Sequence, residues 1–251
     1  MRHTLLLLVL LSSVCSSVYA DTLGVRAGVN YWNYDISGTA RYKSPNASDD
    51  IDVNNELGYN DGSSFFYYVT LEHPVPFLPN VRLSYTDIDE DANGRLTNTV
   101  VFGNKTFLVN EAVSSQVELK QTDITLYYRV LDNAVNLDLG LDAKYIDSTA
   151  SITGSLSGSE DTDVSGWVPL GYAGVGVDLP LTGLGVSADG AYVKYDGSSF
   201  YDFSVRATYT TAWHLGVDIG YRKIKLDLDD FDNSFANVEF DGPYAGAYLH
   251  F

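Results

Sequence analysis

The feature that most restricts how this chain can fold is a two-residue alternation of apolar and polar side chains, which recurs in ten segments of about ten residues. In residues 135–144, for example, Val, Leu and Ala alternate with Asn, Asp, Gly and Lys. Alternation of this period places the two sets on opposite faces of a β-strand. One face of each segment is uncharged through its centre, and the other carries the charges. The ten segments are residues 23–36, 65–72, 81–86, 123–130, 135–144, 172–179, 184–192, 201–209, 213–222 and 244–251.

Aromatic residues decide between the two all-β folds that show such alternation. A soluble sandwich alternates as well, but only a membrane barrel needs aromatic girdles where its apolar band meets water. We therefore predict an all-β, transmembrane, up-and-down antiparallel β-barrel of ten strands, with eight or twelve strands as alternatives. The aromatic residues that end apolar stretches are Tyr31, Tyr85, Tyr192, Tyr201, Tyr209, Trp213 and Tyr221.

Loop lengths support the same fold. The connections after strands two, four, six and eight are short, as expected of periplasmic turns. The long, acidic connections, predicted to be outer loops, are residues 37–61, 87–116, 150–166 and 228–239. Alternatively, residues 37–44 and 95–109 extend neighbouring strands above the membrane.

The first twenty residues have the features of a signal peptide. Arg2 and His3 precede the apolar run 5–11, and Val18-Tyr19-Ala20 fits a cleavage site. We predict a signal peptide at residues 1–20 and one barrel domain at 21–251. No later apolar run is long enough for a membrane helix, so none is predicted.

The end of the chain, Gly246-Ala247-Tyr248-Leu249-His250-Phe251, completes a resemblance to a known group. With the signal peptide and the alternating strands, it resembles small Gram-negative outer-membrane β-barrel proteins, most nearly a poorly characterised proteobacterial outer membrane protein family. The resemblance implies a place in the cell outer membrane, in contact with its lipid and lipopolysaccharide. It also implies that Leu249 and Phe251 belong to the signal read by the barrel-assembly machinery.

Enzymatic and nucleic-acid functions are not predicted. The predicted ten-stranded barrel also resembles the barrel of the omptin proteases, whose chemistry needs Asp and His residues on the outer rim. Here His73, His214 and His250 lie on the predicted periplasmic side, and the His-Ser-acid set of the lipid A-modifying barrels has no counterpart. A net charge of -18 would repel a phosphate backbone.

The inward face is predicted to carry charges of both signs. If the short turns fix the register, Glu72 lies opposite Arg82, and a four-residue turn from Asp196 to Ser199 places Asp189 opposite Arg206. Opposed charges can neutralise each other in a narrow lumen. The predicted lumen ion pairs involve Glu72, Arg82, Asp189, Arg206, Arg26, Arg129, Asp138, Asp142, Asp218 and Arg222; Lys144, Asp123, Asp178 and Asp202 share this face.

These charges predict a monomeric barrel plugged by ion pairs and Tyr side chains, with a structural or surface-interaction role. The alternative is a porin-like, narrow or gated channel for small solutes.

One segment resembles a calcium-binding loop. Asp89, Asp91 and Asn93, followed by a glycine, have the spacing of its first ligands. Val100 stands where the loop needs a bidentate Glu, so a weak calcium site is the most that the match predicts. The alternative is a solvated acidic hairpin, and no other cofactor is expected.

Overall fold

The structure is a computed structural model that describes residues 23–42, 50–75, 77–231 and 234–251, so the predicted signal peptide lies outside the described residues. No helix in these ranges is long and apolar enough to cross a membrane. The strands are β1 (Gly24–Tyr42), β2 (Ile51–Asp52), β3 (Asp61–Glu72), β4 (Asn80–Arg95), β5 (Val100–Phe102), β6 (Lys105–Phe107), β7 (Ala112–Asp132), β8 (Val135–Gly154), β9 (Gly158–Leu179), β10 (Leu184–Tyr195), β11 (Ser198–Thr210), β12 (Leu215–Phe231) and β13 (Ser234–His250).

The ten long strands form one closed antiparallel barrel, which confirms the predicted fold and strand number. Successive long strands pair around the wall, and β13 pairs with β1 to close it. At this seam Arg26 lies opposite His250, and Val25 and Phe251 exchange two backbone hydrogen bonds of 3.0 and 2.9 Å. Of the three short strands, β2 adds to β1, and β5 and β6 form a separate small sheet.

The barrel has a short-turn end and an extended end. Residues 73–79, 133–134, 180–183 and 211–214 connect strands at the short-turn end, where both described chain ends also lie. At the other end the strands continue well past the predicted limits. The following stretches, predicted as loop, are strand: residues 87–95, 112–116, 150–154, 158–166, 228–231 and 234–239. Residues 37–42 extend β1, which agrees with the alternative for 37–44 over its described part.

That error has a physical cause. In residues 87–95, 112–116 and 150–154 most polar residues face solvent and alternate with buried residues such as Ile88, Val113 and Ile152, whereas residues 158–166 have no buried side chain and are strand because they pair with β8. The alternation in the first three stretches is therefore that of a strand with an apolar inner face, although its composition is that of a loop.

An apolar band encircles the wall between the two ends. Every long strand contributes at least one exposed aliphatic side chain, and an apolar surface of this extent is typical of contact with lipid. Most of the predicted girdle residues are also exposed, whereas Tyr201 is half-buried. One band residue from each strand, in chain order, is Val29, Val69, Leu83, Leu126, Leu139, Val175, Val186, Val205, Val217 and Leu249.

A hydrophobic core fills the inside of the barrel at the extended end. Residues 50–60 and 96–111 connect long strands and contribute side chains to this core. The inner faces of the surrounding strands supply the rest. Its fully buried members include Trp32, Ile88, Leu96, Val100, Phe107 and Ile224.

Candidate functional site

The candidate site is the lumen, where three groups of charged side chains lie below the hydrophobic core. The group next to the core centres on Asp202, which accepts hydrogen bonds from Arg222 Nη2 at 2.7 Å and from Lys144 Nζ at 3.1 Å. Lys144 also pairs with Asp123, and Arg222 donates to Thr86 Oγ1 at 2.9 Å. Because Lys144 stands on β8 and Asp202 on β11, this group crosses the lumen.

The middle group is built on Asp189, whose two oxygens accept from different arginines. Arg206 Nη2 lies 2.6 Å from Oδ1, and Arg82 Nη1 lies 2.9 Å from Oδ2. The predicted direct pairing of Asp189 with Arg206 is wrong, because Asp189 lies opposite Ser204. The β10–β11 turn contains two residues, 196–197, rather than the four assumed, which shifts the register by two. The charges still meet, since diagonal neighbours across a strand pair are within reach of long side chains.

The third group lies toward the short-turn end. Arg129 Nη2 donates to Glu72 at 2.7 Å, and Arg129 Nε donates to Asp138 at 3.0 Å. Tyr127 Oη donates to the same Glu72 carboxylate at 2.8 Å. The predicted pairing of Glu72 with Arg82 is wrong, because the β3–β4 register sets Arg82 opposite position 70.

The other predicted lumen residues lie on the same inner wall. Arg26 stacks over the ring of Tyr248, with its guanidinium carbon 4.8 Å from the ring centre. Asp142 accepts from a threonine hydroxyl at 2.8 Å. Asp218 accepts from Tyr68 Oη at 3.4 Å, and its Oδ1 has no hydrogen-bond partner among the described residues.

Three residues of the group next to the core were not predicted to form ion pairs. The sequence placed Lys144, Asp123 and Asp202 on the inner face without partners. The pairing of neighbouring strands could not predict the contact between Lys144 and Asp202. These residues are 58 positions apart in the sequence and meet across the lumen.

A cavity of about 80 Å³ remains between the charged groups. Its lining includes Ser84, Asp189, Ser204 and Arg206. At roughly 30 Å³ per molecule, a few waters fit in such a space. Below the core, therefore, the lumen holds three groups of ion-paired side chains around a small polar cavity.

Above the charges, two buried carboxylates hold the connecting segments over the core. Glu111 accepts hydrogen bonds from the backbone N–H groups of Leu108, Leu156 and Ser157 at 2.9, 2.7 and 2.7 Å. The Ser157 hydroxyl donates as well, at 2.7 Å. These bonds, led by the one from Leu108, lower the pKa of Glu111 to about 2. Glu111 thus joins the β6–β7 connection to the β8–β9 turn.

Glu56 joins the β1–β3 connection to the segment that follows β4. It accepts from the backbone N–H of Asp52 at 2.8 Å and of Thr97 at 2.7 Å. Burial opposes ionisation, but these hydrogen bonds outweigh it and lower the pKa of Glu56. Neither glutamate was predicted to be functional, since an acidic residue in a polar stretch has the sequence signature of a solvated loop.

The predicted calcium loop does not form. Residues 80–95 are extended, and Asp89, Asp91 and Asn93 point outward along one face of β4. Alternate residues of a strand are separated by about 7 Å, so these three side chains cannot converge on one ion. Within the described ranges no group of three acidic, His or Cys residues is placed to hold a metal.

The predicted assembly-signal residues lie at the short-turn end. Leu249 and Phe251 are exposed, and the ring of His214 stacks on Phe251 at 5.7 Å. His250 is near the same edge, and His73 Nε2 lies 3.1 Å from the carbonyl of Pro79. The described histidines are therefore far from the acidic extended end.

Comparison with solved structures agrees with this architecture. The chain is similar to the outer membrane protease OmpT from Escherichia coli, with a TM-score of 0.57, 12% identity, and coverage of 94% of this chain and 100% of that one. It also matches the translocator domain of the autotransporter NalP from Neisseria meningitidis, with a TM-score of 0.46, 11% identity, and 99% and 96% coverage. A third match is the attachment invasion locus protein Ail of Yersinia pestis, with a TM-score of 0.36, 8% identity, and 92% and 100% coverage.

No protein-family model and no curated protein matches the sequence. At such low identity the likeness concerns the fold, and the match to OmpT, whose TM-score exceeds 0.5, supports the β-barrel architecture.

Proposed function

We propose that this protein is a monomeric, non-conducting barrel of the cell outer membrane, with a structural or surface-interaction role. The observation that supports this proposal is that two layers of side chains occupy the lumen. Ion pairs such as those of Asp189 lie at the level of the apolar band, and the hydrophobic core lies at the extended end, so that together they would close the lumen. The outward band would contact lipid and lipopolysaccharide, and Leu249 and Phe251 would be read by the barrel-assembly machinery.

The rival function is a narrow or gated channel for small solutes. A conducting path would need both closures to open together. The hydrophobic core is held in place by Trp32, whose Nε1 donates to the carbonyl of Gly242 at 3.1 Å. It is also held by the connecting segments whose backbone N–H groups donate to Glu56 and Glu111. We propose no enzymatic activity, since the described histidines lie away from the acidic end.

Single-channel recording tests the proposal. The mature chain would be refolded in detergent and inserted in a planar bilayer, with a heat-dependent shift in gel mobility to verify the closed barrel. We expect no current from the wild-type protein. We also expect none from a variant with Asp189→Ala and Arg206→Ala, because the hydrophobic core above these residues remains. A variant with Asp89→Ala and Asp91→Ala serves as the matched exposed control.

The possible outcomes separate the two functions. Steady wild-type current would refute the proposal and make the protein a pore. Current from the Asp189 and Arg206 variant alone would show that the ion pairs, rather than the core, close a lumen that is plugged in the wild type.

A further inference from the structure

Strand β9 extends far beyond its neighbour β10. The last β9–β10 pair is Gly171 with Tyr192, whereas β9 pairs with β8 as far as Gly158. On the β10 side, no described strand pairs with residues 158–170. Every second residue of an antiparallel strand directs its N–H and C=O to the same side, so about six residues of β9 present an unpaired edge.

Along this edge, the side chains of β9 are exposed on both faces of the sheet. All residues from 161 to 165 are exposed, whatever side of the sheet they face. A Cβ added at Gly166 would meet no atom within 4 Å. Near the tip, Lys105 reaches the carbonyl of Ser159, and the backbone N–H of Asn104 donates to the Glu160 carboxylate at 2.8 Å; from residue 161 the edge is uncovered by described residues.

A similar edge on β4 is covered by the chain itself. The β3–β4 pairs end at Phe66 and Thr86, yet the edge above them is packed. A Cβ at Gly58, which has φ +90°, would come within 2.2 Å of the Asn93 carbonyl oxygen, and Glu90 accepts from the Ser63 N–H at 3.1 Å. The fold therefore covers one long edge and leaves the β9 edge free.

The space beside β9 is wide enough for an added strand. The β10–β11 hairpin turns at residues 196–197, while β12 continues to Phe231. Above this turn two strands are missing from the wall, so β9 and β12 are separated by three strand spacings, or about 14 Å. We call this gap the notch; its β9 side is residues 159–169, of which 166–169 are level with β12 residues 227–230 on the other side, and its floor is the β10–β11 turn.

The charges around the notch define the chemistry of its occupant. All three of its borders carry carboxylates. A second copy of this chain would bring like charges together, which disfavours edge-to-edge pairing of two barrels. A basic segment would be attracted instead, and the ring of Tyr195, 80% exposed at the floor, can stack on a cationic side chain. The carboxylates are those of Asp161, Asp163, Asp196, Asp227 and Asp229.

We propose that the open edge of β9 binds an extended, basic peptide segment of a partner protein, which joins the barrel wall as an additional strand. Backbone hydrogen bonds to the edge would supply affinity, and the carboxylates would select cationic side chains. This inference deepens the proposed surface-interaction role and rests on it. Conductance tests whether the lumen is closed, whereas peptide binding tests the edge, so failure of either is recognised separately.

Peptide binding to the refolded mature protein in detergent micelles tests the inference. The probe is a fluorescent ten-residue peptide of alternating Lys and Thr, and its control is the same peptide N-methylated at every residue, which blocks both of its edges. The control keeps the charge but cannot form a strand ladder. We expect binding by fluorescence anisotropy, weakened about tenfold or more by N-methylation. Hydrogen exchange should show new protection within residues 159–166.

Two matched variants separate the edge from the general acidity of the protein. Asp161→Asn with Asp163→Asn should weaken peptide binding about fivefold. Asp89→Asn with Asp91→Asn removes the same charge from the covered strand and should leave affinity unchanged. Gel mobility would verify folding of both variants.

Three results would overturn the inference. The first is protection, before peptide is added, of those alternate amides of residues 159–166 that face away from β8, which would mean that the edge is already paired. The second is equal affinity for the N-methylated peptide. The third is an equal loss of affinity in both charge variants.

Discussion

Replacing Lys144 by methionine should destabilise the barrel by about 3–5 kcal/mol, because it leaves a buried carboxylate without its cation. The Lys144 side chain is 1% exposed and pairs with both Asp123 and Asp202. At 3.1 Å and an effective dielectric constant of about 20, one such contact corresponds to about 5 kcal/mol of Coulomb attraction, which the burial of both charges offsets in part.

The two carboxylates differ in what they retain after this substitution. Asp202 keeps its hydrogen bonds from Arg222, at 2.7 and 3.0 Å. Asp123 loses its only ion pair in the described part of the chain. The cost should therefore come mainly from Asp123, and a double variant with Lys144→Met and Asp123→Leu should recover to within about 1 kcal/mol of wild type.

Urea unfolding of the refolded protein in phospholipid vesicles, followed by tryptophan fluorescence, measures both values. Lys120→Met is the matched control: its ion pair with Glu118 is exposed, so its unfolding curve should match that of wild type. A loss below about 1 kcal/mol for Lys144→Met would show that Asp123 is hydrated. A double variant as unstable as the single one would show that lost packing, not charge, is responsible.

Three further predictions follow from other parts of the barrel. Trp32→Ala should cost about 3–5 kcal/mol of unfolding free energy in the same urea experiment, because this fully buried ring fills the core. Leu139→Arg should cost about 2–4 kcal/mol in vesicles, whereas the exposed Asp147→Arg in the extension should cost almost nothing; equal effects would contradict the placement of the apolar band. The pKa of Glu111 lies at about 2 instead of 4.5, so the stability that it gives the extended end is complete above about pH 4.5 and is lost as the pH falls toward 2. Pepsin cleavage near Leu156, divided at each pH by the rate on an unfolded peptide of the same sequence, should rise as the pH falls through this range, and Glu111→Gln should abolish that rise; a flat ratio in the wild type would refute the assignment.

Strand number and the facing of side chains could be predicted because the alternation fixes them before any partner is known. In residues 135–144, the period alone places Leu139 outward and Lys144 inward. Register is different, since it depends on the number of residues in each turn. The two-residue turn at 196–197 moved Asp189 two positions from its predicted partner.

The contents of the extended end could not be read from local sequence. Glu111 is buried because distant backbone N–H groups converge on it, including that of Leu156, 45 residues later. Nothing in the residues beside Glu111 distinguishes it from the exposed acidic residues of the same end. The open edge of β9 depends similarly on where its neighbour β10 ends.

The closing seam between β1 and β13 also determines the order in which the barrel can fold. Trp32 and Gly242 are joined by a hydrogen bond although 210 residues separate them, and β13 supplies Phe240 to the same core. The core at the extended end is therefore completed only when the first and last strands meet. Contacts of such long sequence separation form slowly. Until the seam closes, the chain exposes apolar side chains on both faces, so the interval before closure is when aggregation should compete most strongly with folding.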